Sequence, residues 1–157
     1  MENRDQLLWV FVYGSNLCTG KMLGALGGTW KKVVRANAKG FEVVFNKNST
    51  KWGAAANIVP HPRKTCKGVV YRITERQFKK LKGTEDGYEV MCVEVQTETE
   101  ERIAARTFVA RRDSITNRSR PKRVYLDFIW HGGLEQGLPR RYLRELIRKG
   151  RGRIPES

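Results

Sequence analysis

The chain has 157 residues, the size of one ordinary domain, and 39% of them are hydrophobic, which is sufficient to bury a core. Its 31 Lys and Arg against 16 Asp and Glu give a formal net charge of +15, which indicates an acidic partner or substrate, or a source with generally basic proteins. The spacing of the three cysteines indicates neither a disulfide framework nor a zinc site: Cys18, Cys66 and Cys92.

No signal-peptide pattern opens the chain, and its longest apolar run is far shorter than the ~20 residues that a membrane span requires. We therefore expect a single domain over residues 1–157, with a core from about 8 to 150. We expect it in a reduced, cytoplasmic compartment and without a membrane partner.

The first informative stretch is an apolar run over 8–12 that continues into Tyr13-Gly14-Ser15-Asn16. The run predicts a buried strand, and Gly, Ser and Asn favour a tight turn at its end. Because Gly has no Cβ, its backbone can approach a ligand closely, and successive N–H groups in such a turn can converge on a negative oxygen. The stretch therefore predicts either a binding turn or a plain strand-to-loop corner.

A short helix and two strands are predicted next. Thr19 is the expected N-cap of the helix, and Gly27-Gly28 would end it. The strands are expected over 30–37 and 41–46, with Lys39-Gly40 as the turn between them.

The following segment predicts a loop over 46–52 and then a strand of small residues over 53–59. Pro60-His61-Pro62 is expected to break that strand, because proline cannot donate to a sheet. A further buried strand is predicted over 66–73.

Residues 74–85 predict a helix with Thr74 as its N-cap, followed by a strand over 88–96. Glu85 then lies at the exit of the helix beside a glycine turn, where a carboxylate can be aimed over a cavity. The alternative is that Glu85 and Asp86 are two solvated acids in a turn.

The last third of the chain is basic. Between Arg111 and Arg153, thirteen Lys and Arg stand against four acids. The helical pattern over 139–149 places Tyr142, Leu143, Leu146 and Ile147 on one face and leaves the basic residues on the other: Arg140, Arg141, Arg144, Arg148 and Lys149. The basic face is either a surface for nucleic acid or another polyanion, or a solvated face; the lack of interleaved aromatic residues favours the solvated face.

Taken together, these segments resemble the γ-glutamylcyclotransferase family. The resemblance is carried, in the family's order, by Tyr13-Gly14-Ser15-Asn16-Leu17, the strand from Gly68 to Tyr71, the helix from Leu81 to Glu85 with Tyr88 after it, Tyr125 and Ile129, and the closing pattern Gly132-x-x-Glu135-x-Gly137-Leu138-Pro139. It extends over nearly the whole chain, from about residue 10 to 150.

The resemblance implies an α+β fold with a small, mixed, twisted, barrel-like β-sheet and a few flanking helices. It implies cleavage of a γ-glutamyl amide into 5-oxoproline and a free amine or amino acid, with no metal, nucleotide or other cofactor. Glu85 matches the family's general acid/base. The turn from Tyr13 to Leu17 matches its substrate-binding turn, and Tyr88 and Tyr125 are expected to join that site.

Two departures from the family pattern place the choice of substrate in question. Lys82 stands where the family usually has Asp, and Asp86 stands where it has Gly. The hypothesis of a different class is that the fold serves as a non-catalytic scaffold for an acidic partner such as nucleic acid. The sequence leaves the oligomeric state open, a homodimer included.

Overall fold

A computed structural model describes residues 5–151 of the chain. The elements within these residues are β1 (Leu7–Val12), α1 (Thr19–Leu26), β2 (Lys32–Ser49), β3 (Gly53–Thr74), α2 (Glu75–Thr84), β4 (Tyr88–Thr97), β5 (Arg102–Ala110), α3 (Arg123–Glu135) and α4 (Arg140–Arg151). Single turns of 3-10 helix lie at Ser15–Leu17 and Arg112–Ser114. The predicted α+β class is confirmed.

The strands close into a barrel in the order β1-β3-β2-β4-β5. Neighbouring strands run antiparallel except β1 and β5, which are parallel and close the barrel where Val10 pairs with Arg106. Closure pairs both outer strands of the sheet and so removes exposed edges.

The prediction of two strands joined at Lys39-Gly40 is wrong, because β2 is one strand through this point. Gly40 has a φ of +84°, and the pairing with β3 shifts register between Lys39 and Phe41. The left-handed backbone that glycine permits therefore makes a bulge in the strand, not a chain reversal.

The break predicted at Pro60-His61-Pro62 is also wrong, since β3 runs without interruption through it. The register passes from Phe41 opposite Pro60 to Lys39 opposite Thr65, so residues 61–64 bulge out of the ladder. The prolines interrupt the hydrogen bonds locally, but both halves of β3 pair with β2. The loop predicted over 46–52 is reduced to a turn between β2 and β3, because β2 extends to Ser49.

Among the predicted helices, α2 begins as expected. The Thr74 hydroxyl accepts from the Gln77 N–H at 3.1 Å, and the Gln77 side chain accepts from the Thr74 N–H at 3.1 Å. This reciprocal pair is a capping box. In α1 the N-cap is Cys18, not Thr19, and Gly27 ends the helix at a φ of +71°.

The helix predicted over 139–149 is confirmed as α4, with Leu143, Leu146 and Ile147 buried against the barrel. β5 and α3 were not predicted, although Ile103 and Ala105 alternate inward along β5. None of the helices in the described part of the chain has the length and apolar character needed to span a bilayer.

Buried side chains pack on both sides of the barrel wall, and successive residues from Val10 to Tyr13 point alternately to the two sides. Phe11 and Tyr13 belong to one layer, which also contains inward residues of every other strand and residues of α3 and α4. Val10 and Val12 belong to the other layer, with residues of α1 and α2. A strand that is buried on both faces ends at the candidate site, so the turn that follows it starts from a fixed position.

Candidate active site

A cavity of about 890 Å³ opens where β1 and α2 end. The structure brings most of the sequence-predicted site residues to its wall: Tyr13, Gly14, Ser15, Asn16, Glu85, Tyr88 and Tyr125. Leu17 is the exception, because its side chain is fully buried in the layer between the barrel and α1. Two turns that are far apart in sequence therefore face one space.

The turn after β1 presents unused backbone donors. Its first internal hydrogen bond runs from the Leu17 N–H to the Gly14 carbonyl at 3.0 Å. The N–H groups of Ser15 and Asn16 precede that bond and have no acceptor inside the turn. They are therefore placed to bind a negative oxygen.

Gly14 allows close approach behind this turn. A Cβ at Gly14 would lie 3.2 Å from the Ala56 Cβ and 3.5 Å from the Tyr125 hydroxyl oxygen. The small side chains of β3 predicted over 53–59 thus leave room for the turn, and a larger residue in either place would push it into the cavity.

Glu85 follows the last residue of α2 and turns back toward the first turn. Its Oε1 accepts a hydrogen bond from the Asn16 Nδ2 at 2.7 Å, and its side chain is half-buried. Burial raises the pKa of the Glu85 carboxyl above its ordinary value, although the Asn16 hydrogen bond and the charges of Lys21 and Lys47 act to lower it. Asp86, the next residue, is exposed.

A glycine shapes the turn that carries Glu85. Gly87 has a φ of +80°, and the Tyr88 N–H donates to the Glu85 carbonyl at 3.2 Å. Any other residue at Gly87 would be strained in this left-handed conformation, so the turn that aims Glu85 depends on that glycine. Lys82, the first departure from the family pattern, is exposed on α2.

Two tyrosines are fixed by the backbone N–H and C=O of one residue of β3, Ala56. The Tyr88 hydroxyl donates to the Ala56 carbonyl at 2.6 Å, and the Ala56 N–H donates to the Tyr125 hydroxyl at 2.8 Å. Burial raises the pKa of both tyrosines, so both stay protonated at neutral pH. The Tyr13 hydroxyl donates a hydrogen bond to the Phe108 carbonyl, so it is mainly the backbone of Tyr13 that is available to a ligand.

The closing glycine-rich segment supports the first turn from behind. A Cβ at Gly132 would lie 2.6 Å from the Leu17 carbonyl carbon and would overlap the Cys18 backbone nitrogen. Glu135 Oε1 accepts from the Thr19 N–H at 2.9 Å, which lowers the pKa of Glu135. Gln136 Nε2 donates to the Leu17 carbonyl at 3.1 Å. These contacts give the segment a positioning role.

Sequence reasoning missed the cationic side chains of the cavity wall: Lys21, Lys47, Lys51 and Arg111. Lys21 and Lys47 are the two whose charges act on Glu85. Lys21 Nζ donates to Ser15 Oγ at 3.0 Å and lies 5.6 Å from the Trp52 ring centroid; burial lowers its pKa. Lys47 is 7% exposed. It follows Val43 and Phe45 on one face of β2, and this period-two pattern would have revealed an inward lysine if the strand had been predicted to continue past residue 46.

The comparisons with known proteins agree with this architecture. The AIG2-like family matches residues 66–146, more than half of the chain. The chain belongs to the AIG2-like family. Among the residues from 5 to 151 of this AIG2-like protein, no three His, Cys, Asp or Glu side chains are grouped so as to hold a metal ion.

Solved structures show that the fold is γ-glutamylcyclotransferase-like. A protein described as a gamma-glutamyl cyclotransferase is 26% identical, with a TM-score of 0.78 over 90% of this chain and 86% of that one. YkqA from Bacillus subtilis has a TM-score of 0.82 at 21% identity, over 97% of this chain and 56% of that one.

A gamma-glutamyl cyclotransferase specific to glutathione from yeast has a TM-score of 0.70 at 15% identity, over 92% of this chain and 96% of that one. At these sequence identities, YkqA and the yeast enzyme show only that the fold is shared. No curated protein shows significant sequence similarity to the chain.

Proposed function

We propose that this AIG2-like protein converts a γ-glutamyl amide or γ-glutamyl amino acid into 5-oxoproline and a free amine or amino acid. The observation that carries the proposal is the position of Glu85: a half-buried carboxyl in a cavity, 2.7 Å from the side chain of a turn with unused N–H donors. The likeness to a solved gamma-glutamyl cyclotransferase supports it.

The reaction needs little chemistry from the protein. The substrate's own α-amine attacks its own γ-carbonyl, a C–N bond forms in a five-membered ring, and the original amide C–N bond breaks. Holding two such tethered groups in the reacting geometry is worth up to ~7–11 kcal/mol of the barrier. The cavity therefore has mainly to fold the substrate into the ring-closing shape.

Glu85 supplies the proton transfers. As a carboxylate it takes the proton that the substrate's α-ammonium must lose before it can attack, and as a carboxylic acid it returns that proton to the departing nitrogen. A pKa raised by burial suits both steps, because a general acid/base works best when its pKa is near the working pH.

The turn after β1 binds a negative oxygen of the substrate. The N–H groups of Ser15 and Asn16 can hold either the α-carboxylate of the γ-glutamyl group or the oxyanion that develops on the γ-carbonyl. Asn16 also holds Glu85, so the binding turn and the proton-transfer group move as one unit.

The proposal is tested by incubating the protein with a panel of γ-glutamyl dipeptides and γ-glutamyl amines and measuring the release of 5-oxoproline. Turnover of at least one compound, abolished in Glu85→Gln, is the expected result. Failure to release 5-oxoproline from any member of the panel would favour the scaffold hypothesis.

A second proposal, independent of the first, concerns polyanion binding between Arg111 and Arg153, of which Arg153 lies outside the described residues. Arg140, Arg144 and Arg148 follow one another every four residues on α4, and all three are exposed. Such a row suits the phosphates of a nucleic acid. Lys149 is committed elsewhere, because its Nζ lies 3.0 Å from Glu42 Oε1.

A further inference from the structure

Lys47 is unusual among the basic residues of the chain because it is buried. It lies near the end of β2 at a bulge, where Phe45 and Lys47 oppose the consecutive residues Ala56 and Ala55. Its residue surface is 7% exposed, and it forms part of the cavity wall. Lysine is almost never buried to this extent without a partner.

The ammonium group of Lys47 nonetheless has no hydrogen-bond or ion-pair partner within residues 5–151. No hydrogen bond from its Nζ and no carboxylate within 4.0 Å is found there, and the ammonium lies over the Tyr88 ring, whose centroid is 5.0 Å away. No enclosed side-chain nitrogen in this part of the chain lacks a hydrogen bond. The Lys47 ammonium must therefore be open to the cavity.

Lys21, the other lysine whose charge acts on Glu85, differs in this respect. Its Nζ is occupied by Ser15 Oγ at 3.0 Å and so belongs to the turn after β1. Lys47 instead adjoins Gly87 and Ser114: a Cβ built on Gly87 would lie 2.9 Å from Lys47 Nζ and 2.8 Å from Ser114 Oγ. An ammonium and a hydroxyl thus lie on one side of the turn that carries Glu85. The Ser114 hydroxyl donates to Asp113 Oδ1, but at 3.4 Å this hydrogen bond is long and leaves the hydroxyl free to turn to a stronger acceptor.

The charges of the cavity set what this corner can hold. With Glu85 ionised for its first proton transfer, the four cationic and three acidic side chains of the cavity wall leave an excess of one positive charge: Lys21, Lys47, Lys51 and Arg111 against Glu85, Asp86 and Asp113. A γ-glutamyl amine with an uncharged leaving part is neutral overall, whereas a carboxylate on the leaving amine adds one negative charge. Desolvated ammonium groups favour such a charge-assisted hydrogen bond.

We propose that Lys47, with Ser114, forms an anion subsite that binds a carboxylate on the leaving amine and makes the enzyme select substrates that carry one. This inference rests on the proposed cyclotransferase function. Lys47 is in this view a specificity-determining residue, and the proton transfers remain with Glu85.

The test compares two substrates that differ only by that carboxylate, γ-glutamyl-alanine and γ-glutamyl-ethylamine, with 5-oxoproline release as the readout. The full chain is expected to prefer γ-glutamyl-alanine in kcat/KM by roughly 10- to 100-fold, the value of one charge-assisted hydrogen bond. In Lys47→Met this preference is expected to fall to about twofold or less, chiefly through a higher KM for γ-glutamyl-alanine.

The ratio of the two substrates within one variant removes other effects of the substitution. Lys47 also acts on the charge of Glu85, but a change in Glu85 alters both substrates alike. Lys32→Met is the matched control, because Lys32 is exposed at the opposite end of the same strand and outside the cavity wall. It is expected to keep the wild-type preference.

Ser114→Ala provides a second, milder variant in case Lys47→Met does not fold, and is expected to reduce the preference by roughly 2- to 10-fold. The proposal is overturned if the wild type turns over both compounds equally, or if both variants lower both substrates by the same factor. If neither compound nor any other γ-glutamyl amide releases 5-oxoproline, the proposed function itself fails, and this inference with it.

Discussion

Positive charge serves different ends in the cavity and on the outer face of α4. In the cavity, the charges of Lys21 and Lys47 act on the Glu85 carboxyl, and all three side chains are half-buried or buried. On α4 the arginines at positions 140, 144, 148 and 151 are exposed. The described structure therefore separates a few enclosed charges from many solvated ones.

The difference follows from the dielectric surroundings. Two charges 4 Å apart interact by about 1 kcal/mol in water but by about 4 kcal/mol at the lower effective dielectric near a protein, and salt screens the exposed pair further. Burial, and not the number of charges, decides where the excess of +15 can influence the proposed reaction. The comparison can be tested by changing, in turn, the charge of Glu85, the packing at Gly132 and the row of exposed arginines on α4.

The largest effect is expected from Glu85→Gln. Glutamine keeps the size of the side chain and can still accept from Asn16, but it cannot exchange a proton. We expect turnover of a γ-glutamyl substrate to fall by at least ~10²–10⁴-fold, with substrate affinity changed much less. Measurement of kcat and KM by 5-oxoproline release checks this.

Asp86→Asn is the control for that loss. Asp86 is adjacent to Glu85 but exposed, so its removal should leave turnover within roughly tenfold, about 1.4 kcal/mol in the barrier. Wild-type turnover in Glu85→Gln together with a large loss in Asp86→Asn would show that the proton-transfer role belongs to the other carboxylate.

The second prediction concerns the packing that holds the turn after β1. In Gly132→Ala the new methyl would overlap the Cys18 backbone nitrogen, and neither backbone can retreat cheaply. We expect a loss of about 1–3 kcal/mol in the free energy of unfolding, as for other overpacked sites, and weaker substrate binding. Chemical denaturation and KM measure the two effects.

Gly83→Ala is its matched control. Gly83 lies in α2, and a Cβ there meets nothing within 4 Å. Since alanine is the better helix former, this variant should be as stable as wild type or more stable by up to ~1 kcal/mol. Equal stability of the two alanine variants would argue against a positioning role for the closing segment.

The sequence was sufficient for the parts of the site that depend on local chemistry. Tyr13-Gly14-Ser15-Asn16 is recognisable because a buried run ends in turn formers, and Thr74 with Gln77 marks the start of the helix that delivers Glu85. These features are fixed by neighbours in sequence. The cavity that they share could be expected only from the resemblance.

Long-range pairing accounts for the errors. Considered locally, Gly40 indicates a chain reversal, and Pro60 and Pro62 indicate the end of a strand. In the fold, β2 and β3 pair on both sides of these residues, which therefore form two bulges that face each other. Because the sequence predicts that this strand stops at residue 46, Lys47 falls in the loop predicted over 46–52. An inward lysine contradicts the usual preference of its residue type, so only the extent of the strand could have revealed it.

A third prediction uses the pH dependence of stability. Because burial raises the pKa of Glu85 in the folded protein, the folded state binds this proton more tightly than the unfolded state does. The contribution of Glu85 to stability is therefore lost as pH rises from its unfolded value of ~4.3 through the raised folded pKa.

Glu85→Gln, which has no such proton, should consequently be more heat-stable than wild type at pH 7, and the difference should vanish below about pH 4. Thermal unfolding at several pH values checks this, since 1 kcal/mol corresponds to roughly 2–4 °C in Tm for a domain of this size. A variant less stable than wild type at pH 7 would show that the ionised Glu85 is favoured by its surroundings.

The smallest effect on 5-oxoproline release and stability is expected from the arginine row of α4, Arg140, Arg144 and Arg148. The triple variant with Arg140, Arg144 and Arg148 changed to Gln should keep its 5-oxoproline release, and its stability should stay within about 0.5 kcal/mol per site, because exposed charges contribute little. Its effect should appear only in binding to nucleic acid.

If α4 binds phosphates, the wild type should bind a DNA duplex at low salt, with affinity that falls steeply as salt rises, since each neutralised phosphate releases a counterion. The triple variant should reduce the slope of log K against log salt by roughly one unit per lost contact. The comparison variant changes three exposed lysines outside α4, Lys31, Lys32 and Lys39, and removes the same net charge. An equal loss of affinity in both variants would attribute binding to overall charge. If the wild type does not bind the duplex at low salt, the outer face of α4 is a solvated face. A loss of affinity confined to the α4 variant would show that the arginine row binds the nucleic acid.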